Sequence, residues 1–154
     1  MSFKAVQTFF SQYNLQDRIK AFDQSTATVA EAAAVLGVKP AQIAKTLAFE
    51  LKDHPVVIVT EGTAKISNPK FKAFFKERAH MVKFDQLEAL IGHPIGGVCP
   101  FTLKSNVGVY LDETLKKHDI IYPAAGTANT AIKLTIEELE KYTQPSTWVN
   151  VVKD

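Results

Sequence analysis

Thr46-Leu47-Ala48-Phe49-Glu50-Leu51-Lys52-Asp53-His54-Pro55-Val56-Val57-Ile58-Val59-Thr60 holds the most strand-like run of the chain, Val56 to Thr60, which is rich in β-branched residues. The run before it, Thr46 to Leu51, alternates or stays apolar as a strand does, and Asp53-His54-Pro55 has the residues that turn a chain back on itself. The two runs therefore read as an antiparallel hairpin. A hairpin at this point breaks the regular strand-helix-strand alternation that a parallel nucleotide-binding sheet requires, and favours an α+β or mixed-sheet fold.

Outward from the hairpin, helix signals are clear on both sides. Thr28 with Glu31 forms a capping box ahead of an alanine-rich helix over 29–36, and Gly37 supplies its left-handed stop. Residues 3–13 carry Phe3, Val6, Phe9, Phe10 and Tyr13 at helical spacing. Pro40 opens a short helix over 40–44, which puts Lys45 at a helix-to-strand junction. Residues 18–22 read as a short strand. Downstream, Asn68-Pro69 is a cap and first position for a helix that carries Phe71, Phe74 and Phe75 inward. A short strand is expected at 80–82, and Asp85 is expected to cap a helix over 86–91 that stops at Gly92. Strands follow at 107–111, 120–122 and 131–134. Thr135 with Glu138 is a second capping box for a helix over 136–142, and 148–152 closes the chain as a strand.

The whole chain, 1–154, reads as one domain: 154 residues with 46% hydrophobic and 22% charged is ordinary globular composition. No apolar run reaches the roughly 20 residues a membrane span needs, and Met1-Ser2-Phe3-Lys4 lacks the layout of a signal peptide, so a cytoplasmic protein is expected. The single cysteine, Cys99, excludes an internal disulfide and a cysteine zinc site. The four histidines have no metal-ligand spacing, and no metal or cofactor is expected. GxxxxGK[ST], GxGxxG and GxSxG are all missing, which removes motif support for phosphate-loop, dinucleotide and serine-hydrolase chemistry.

The stretch that suggests a site is Ile95-Gly96-Gly97-Val98-Cys99-Pro100-Phe101. Paired glycines leave backbone N–H groups uncovered, while Pro100 fixes the chain after them, a combination suited to close approach by a ligand. Lys45 could direct its ammonium into a cavity, or could be a surface lysine at a strand end. Cys99 could be a nucleophile with His93 as base, or a small buried apolar residue. Thr127 and Asn129, after Gly126, could bind a ligand or complete a turn, and Asp112 could be a site carboxylate or a cap. Between residues 65 and 83, Lys65, Lys70, Lys72, Lys76, Arg78 and Lys83 face only Glu77, a basic surface that either follows a phosphate backbone or is a solvated helix face.

In combination these segments are more specific. Lys45-Thr46-Leu47, then Gly96-Gly97-Val98-Cys99-Pro100, then Tyr122-Pro123-Ala124-Ala125-Gly126 leading to Ala131-Ile132-Lys133-Leu134-Thr135, resemble the YbaK and prolyl-tRNA synthetase editing-domain family over roughly residues 22–139. The resemblance implies a mixed, partly barrel-like sheet surrounded by helices and no cofactor. It implies a freestanding deacylase that hydrolyses the ester joining a wrong amino acid to the 3′ end of a tRNA, with tRNA for proline the first candidate. In that reading Lys45 is the key catalytic residue, with Gly96 and Gly97 supplying backbone donors. Thr46, Val98, Cys99, Pro100, Gly126, Thr127 and Asn129 line or support the aminoacyl pocket. The partners implied are the aminoacylated 3′ end of tRNA and an aminoacyl-tRNA synthetase, with neither DNA nor membrane. The chain departs from the cysteine-directed branch in having Ala125-Gly126 where that branch has Gly-Gly, and from the alanine-directed branch in having Thr46 where that branch has asparagine. A small edited residue, Ala, Cys, Ser or Thr, fits a tight loop carrying Val98 and Cys99. The alternative of a different class is a non-catalytic tRNA- or nucleotide-binding module, or a regulator, of the same fold.

Overall fold

The hairpin is the centre of the sheet. In the computed structural model, which describes residues 2–145 and 147–154, β2 (Ile43–Glu50) pairs antiparallel with β3 (Pro55–Glu61) over seven residue pairs, from Ala44 opposite Glu61 to Glu50 opposite Pro55. Around it the order is β7-β5-β2-β3-β4-β8. β4 (Gly108–Asp112) lies parallel to β3, β8 (Thr147–Val149) parallel to β4, β5 (Ile120–Pro123) parallel to β2, and β7 (Leu134–Thr135) antiparallel to β5. A two-stranded piece, β1 (Ile19–Ala21) with β6 (Thr130–Ile132), joins the main sheet through a bridge between Ala124 and Ala131. The sheet is mixed and curls into a half-barrel, as the resemblance implies.

Period-two alternation divides the hairpin between two cores. Ala44, Ala48, Val57 and Val59 face inward, where they meet Phe101, Leu111 and Ile132 at one end and Val82, Leu87 and Ile91 at the other. Phe49, Val56 and Ile58 face the opposite way, onto Phe71 of α3 (Asn68–Phe75). β3 is buried along its whole length, which explains its run of β-branched residues. α1 (Ser2–Ser11) buries Val6 and Phe10 in the inner core, and α5 (Ile136–Thr143) buries Leu139 there.

Both capping boxes form as the sequence predicts, at Thr28 for α2 (Val29–Leu36) and at Thr135 for α5, and Gly37 adopts φ +70°. Other expectations need correction. α3 is capped by Ser67, whose hydroxyl accepts from the Lys70 N–H, and not by Asn68. Phe74 is 44% exposed, not inward. The segment around Asp85 is a 3₁₀ turn over Phe84–Gln86 followed by α4 (Leu87–Leu90), with no side-chain cap, because the chain is already turning when the helix begins. Residues 80–82 make one bridge, Met81 to Phe49, in place of a strand. β8 ends at Val149, because Val151 then pairs with Ser67 and Asp112.

Asp112 resolves as structural. It is fully buried, its Oδ1 accepting from the Thr114 N–H at 2.9 Å and its Oδ2 from the Val151 N–H at 3.0 Å, so one carboxylate starts the turn Glu113–Lys117 and anchors the C-terminal segment. Asp112→Ala leaves two N–H groups without acceptors and should cost about 2–5 kcal/mol, while Asp112→Asn, which keeps one acceptor, should cost less. Denaturant unfolding of the two variants checks the order; equal losses would contradict it.

Candidate functional site

Three segments meet at one cavity of about 290 Å³. β2 forms one wall, the loop over 92–101 faces it, and the start of α2 closes one end. Most of the lining is apolar: Ala48, Val82, Leu87 and Val98 belong to the inner core. Among the described residues Lys45 is the one charged residue in the lining.

Lys45 lies inside β2, opposite Thr60, and not at a helix-to-strand junction, because the 3₁₀ turn Pro40–Gln42 ends early and the strand begins at Ile43. Its ammonium donates to the Ala64 carbonyl at 2.5 Å. Burial first, and the nearby Lys65 second, lower its pKa from the ordinary lysine value. The ammonium is thus partly desolvated on the face of β2 that carries Phe49, at the Ala64 carbonyl, which is outside the cavity lining.

Beside it β2 has a free edge. β5 pairs with β2 only at Ile43 and Ala44, and the next contact on that side is the Met81 bridge at Phe49. The Val82 N–H donates to the Ala48 carbonyl across this edge at 3.0 Å, so the backbone groups of Ala48, and two residues earlier those of Thr46, point the same way. Thr46 therefore turns its N–H and C=O toward the cavity. Its hydroxyl oxygen is buried and, among the described residues, has no hydrogen-bond partner.

The opposite wall depends on close glycine contacts. A Cβ on Gly97 would lie 2.5 Å from the Gly126 carbonyl carbon and 2.6 Å from the Thr127 nitrogen, so the two glycine turns touch backbone to backbone. Gly96, at φ +81°, sits against Ala27 and Ala128. Gly97 spends its N–H on the Pro94 carbonyl at 3.0 Å, so of the two glycines expected to donate, Gly97 is already engaged.

Not every residue singled out in the sequence reaches the cavity. Lys45, Thr46, Gly96 and Val98 line it; Gly97, Cys99, Pro100, Gly126, Thr127 and Asn129 stand behind it. Asn129 donates through Nδ2 to the Phe22 carbonyl at 2.9 Å and accepts from the Thr127 hydroxyl at 2.9 Å, which completes the turn and ties it to the segment before α2. Cys99 is fully buried, and burial pushes its thiol up to about 12. His93, 3.5 Å from that sulfur, is equally buried and holds its ring between the Phe101 carbonyl, 2.6 Å from Nε2, and the Ser2 hydroxyl at Nδ1. A carbonyl only accepts, so Nε2 carries the proton and Nδ1 accepts from Ser2. That histidine is in no position to take a proton from Cys99; the pair braces the loop. Lys70 makes a surface ion pair with Asp154 at 2.7 Å and donates to the Val152 carbonyl at 2.9 Å. Met81 and Phe84 also line the cavity and nothing in their local spacing marks them, while Thr28 and Ala124, which line it too, are marked in the sequence only as a helix cap and as part of the second glycine segment.

The model of the aminoacyl-tRNA editing domain matches residues 23–142, a span that contains both walls of this cavity. The chain belongs to the aminoacyl-tRNA editing domain family. It is 41% identical to YwhH, an uncharacterized protein of Bacillus subtilis (strain 168), over the whole of this chain and 99% of that one. It is 32% identical, over 75% of this chain and 70% of the other, to EbsC of Enterococcus faecalis, described as a candidate Cys-tRNA(Pro)/Cys-tRNA(Cys) deacylase. The fold matches that of a solved protein described as a candidate trans-editing enzyme for prolyl-tRNA synthetase, with a TM-score of 0.88 at 23% identity, covering 99% of this chain and 98% of that one. Among the described residues no helix is long and apolar enough to cross a membrane.

Because Cys99 is sealed and its thiol stays protonated, the folded protein should resist an aromatic disulfide reagent at pH 8 and react once denatured, as absorbance of the released thiolate will show. Rapid labelling of the native protein would overturn this assignment.

Proposed function

We propose that this protein is a freestanding deacylase that hydrolyses the ester of a mischarged tRNA, with tRNA for proline carrying Ala, Cys, Ser or Thr as the first substrates to test. The observation that carries the reading is the cavity itself: a small apolar space between the free edge of the strand that bears a partly desolvated lysine and the glycine loop.

An aminoacyl ester is already activated, so the site needs no strong nucleophile. Holding the ester carbonyl beside water or beside the vicinal ribose hydroxyl supplies several kcal/mol through positioning. The Thr46 edge offers a donor and an acceptor to the amino acid's backbone groups, and the cavity walls limit its side chain. Lys45 acts as a fixed positive charge toward the terminal phosphate or the carbonyl oxygen. With the Gly97 N–H engaged by Pro94, the loop donors for the developing oxyanion are those of Gly96 and Val98. Support for this reading comes from family membership, from EbsC's description and from the way β2 and the glycine loop face each other.

Deacylation of tRNA charged with each of the four amino acids, by wild type and Lys45→Ala, tests the proposal. Selective hydrolysis of one ester, reduced about 100-fold or more in the variant, is expected. Because burial and Lys65 lower the Lys45 pKa, the charged form is lost at a lower pH than for an exposed lysine. The ratio of wild-type to variant rates should therefore fall as the pH rises toward the ordinary lysine range near 10, and begin falling below it. Binding of tRNA without hydrolysis of any ester would favour a non-catalytic binding module.

A further inference from the structure

Among the described residues, five large apolar side chains are prominently exposed: Tyr13, Phe74, Met81, Phe84 and Ile95. Three of them, Met81 at 56%, Phe84 at 70% and Ile95 at 54%, belong to the wall of the one cavity described above. They come from three separate places, the bridge to β2, the 3₁₀ turn before α4, and the start of the glycine loop. Among the described residues, Phe84 packs on no other aromatic ring, and none of the three belongs to a core cluster. No folding role accounts for keeping them in water around an opening.

We infer that Met81, Phe84 and Ile95 form a stacking platform for the unpaired terminal nucleobase of the RNA, with Phe84 the ring on which the base lies. This rests on the proposed deacylase reading and adds a base-binding subsite to it. The geometry argues for a base over other occupants. A small cavity holds the amino acid, and the nucleotide esterified to it has to leave through the mouth these side chains line. The flanking charges, Lys83 before Phe84 and Asp85 after it, cancel, so the rim suits a flat, uncharged face better than a phosphate. Three side chains expose on the order of 300–400 Å², well short of the roughly 800 Å² each partner contributes to a stable protein interface. One base stacked on one ring needs far less, and stacking of this kind tolerates any base.

The test compares two esters of the amino acid that wild type hydrolyses fastest, one on a terminal adenosine and one on a terminal abasic ribose, at the end of the same short RNA hairpin. Phe84→Ala should lower kcat/KM on the adenosine ester about 5- to 150-fold more than on the abasic ester, while Phe84→Trp keeps the wild-type ratio between the two. The affinity of the uncharged hairpin, read by fluorescence anisotropy, should follow the same pattern. Equal effects of Phe84→Ala on both esters would mean that the ring acts through packing, and would overturn the platform. So would association of the protein with itself that disappears in Phe84→Ala while RNA affinity stays constant. If wild type hydrolyses no ester yet binds the hairpin in a manner that needs both Phe84 and the terminal base, the deacylase reading fails and the platform stands.

Discussion

The contact on which the site depends is the one between Gly97 and Gly126. Their backbones approach so closely that a single methyl group on Gly97 would lie 2.5 Å from the neighbouring carbonyl carbon. That approach brings together two loops 29 residues apart in sequence and holds Gly96 against Ala27 at the start of α2. Two polar braces stand around it: a buried one, His93 between Ser2 and Phe101, and an exposed one, Asn129 on Phe22. A buried hydrogen-bonded group is costly to leave half-made, so the His93 brace favours one arrangement of the loop over a range of them.

The hairpin supplies the other half of the site by being incompletely paired. β5 covers the edge of β2 for two residues and the Met81 bridge covers it again at Phe49, which leaves Thr46 facing the cavity with unused backbone groups. An open strand edge is normally a liability for aggregation. Here the glycine loop stands opposite and the opening is small. Lys45 precedes Thr46 on the same strand, with its ammonium partly desolvated and held on the Ala64 carbonyl.

Much of this was legible in the sequence because it depends on local rules. Thr28 with Glu31, Thr135 with Glu138, and Gly37 each act through contacts within one turn, and each forms as its residues require. The β-branched run of β3 reported a strand buried on both faces. The cap at Asn68 was misplaced by one residue because Ser67 and Asn68 are both good caps and the choice is made by the bond from the Ser67 N–H to Val151, far along the chain. Lys45 and Gly96, both marked by the sequence, line the same cavity. The detail of the site was not legible: that Cys99 is sealed by His93, that the Gly97 N–H is engaged, and that Phe84 stands in solvent at the mouth all depend on long-range packing, which leaves no periodic trace. Thr127 and Asn129 illustrate the same limit, since a polar pair after glycine serves a turn or a ligand equally well until the partner at Phe22 is known.

In the proposed deacylase the aminoacyl group lies between the Thr46 edge and Gly96. A crystal structure with a 3′-aminoacylamino-adenosine, in which an amide replaces the labile ester, tests it directly. The amino acid is predicted in the apolar cavity, with its backbone groups on Thr46 and its carbonyl oxygen toward the loop. An amino acid bound instead in the polar cleft lined by Glu61, Lys117 and Asp154 would contradict the account.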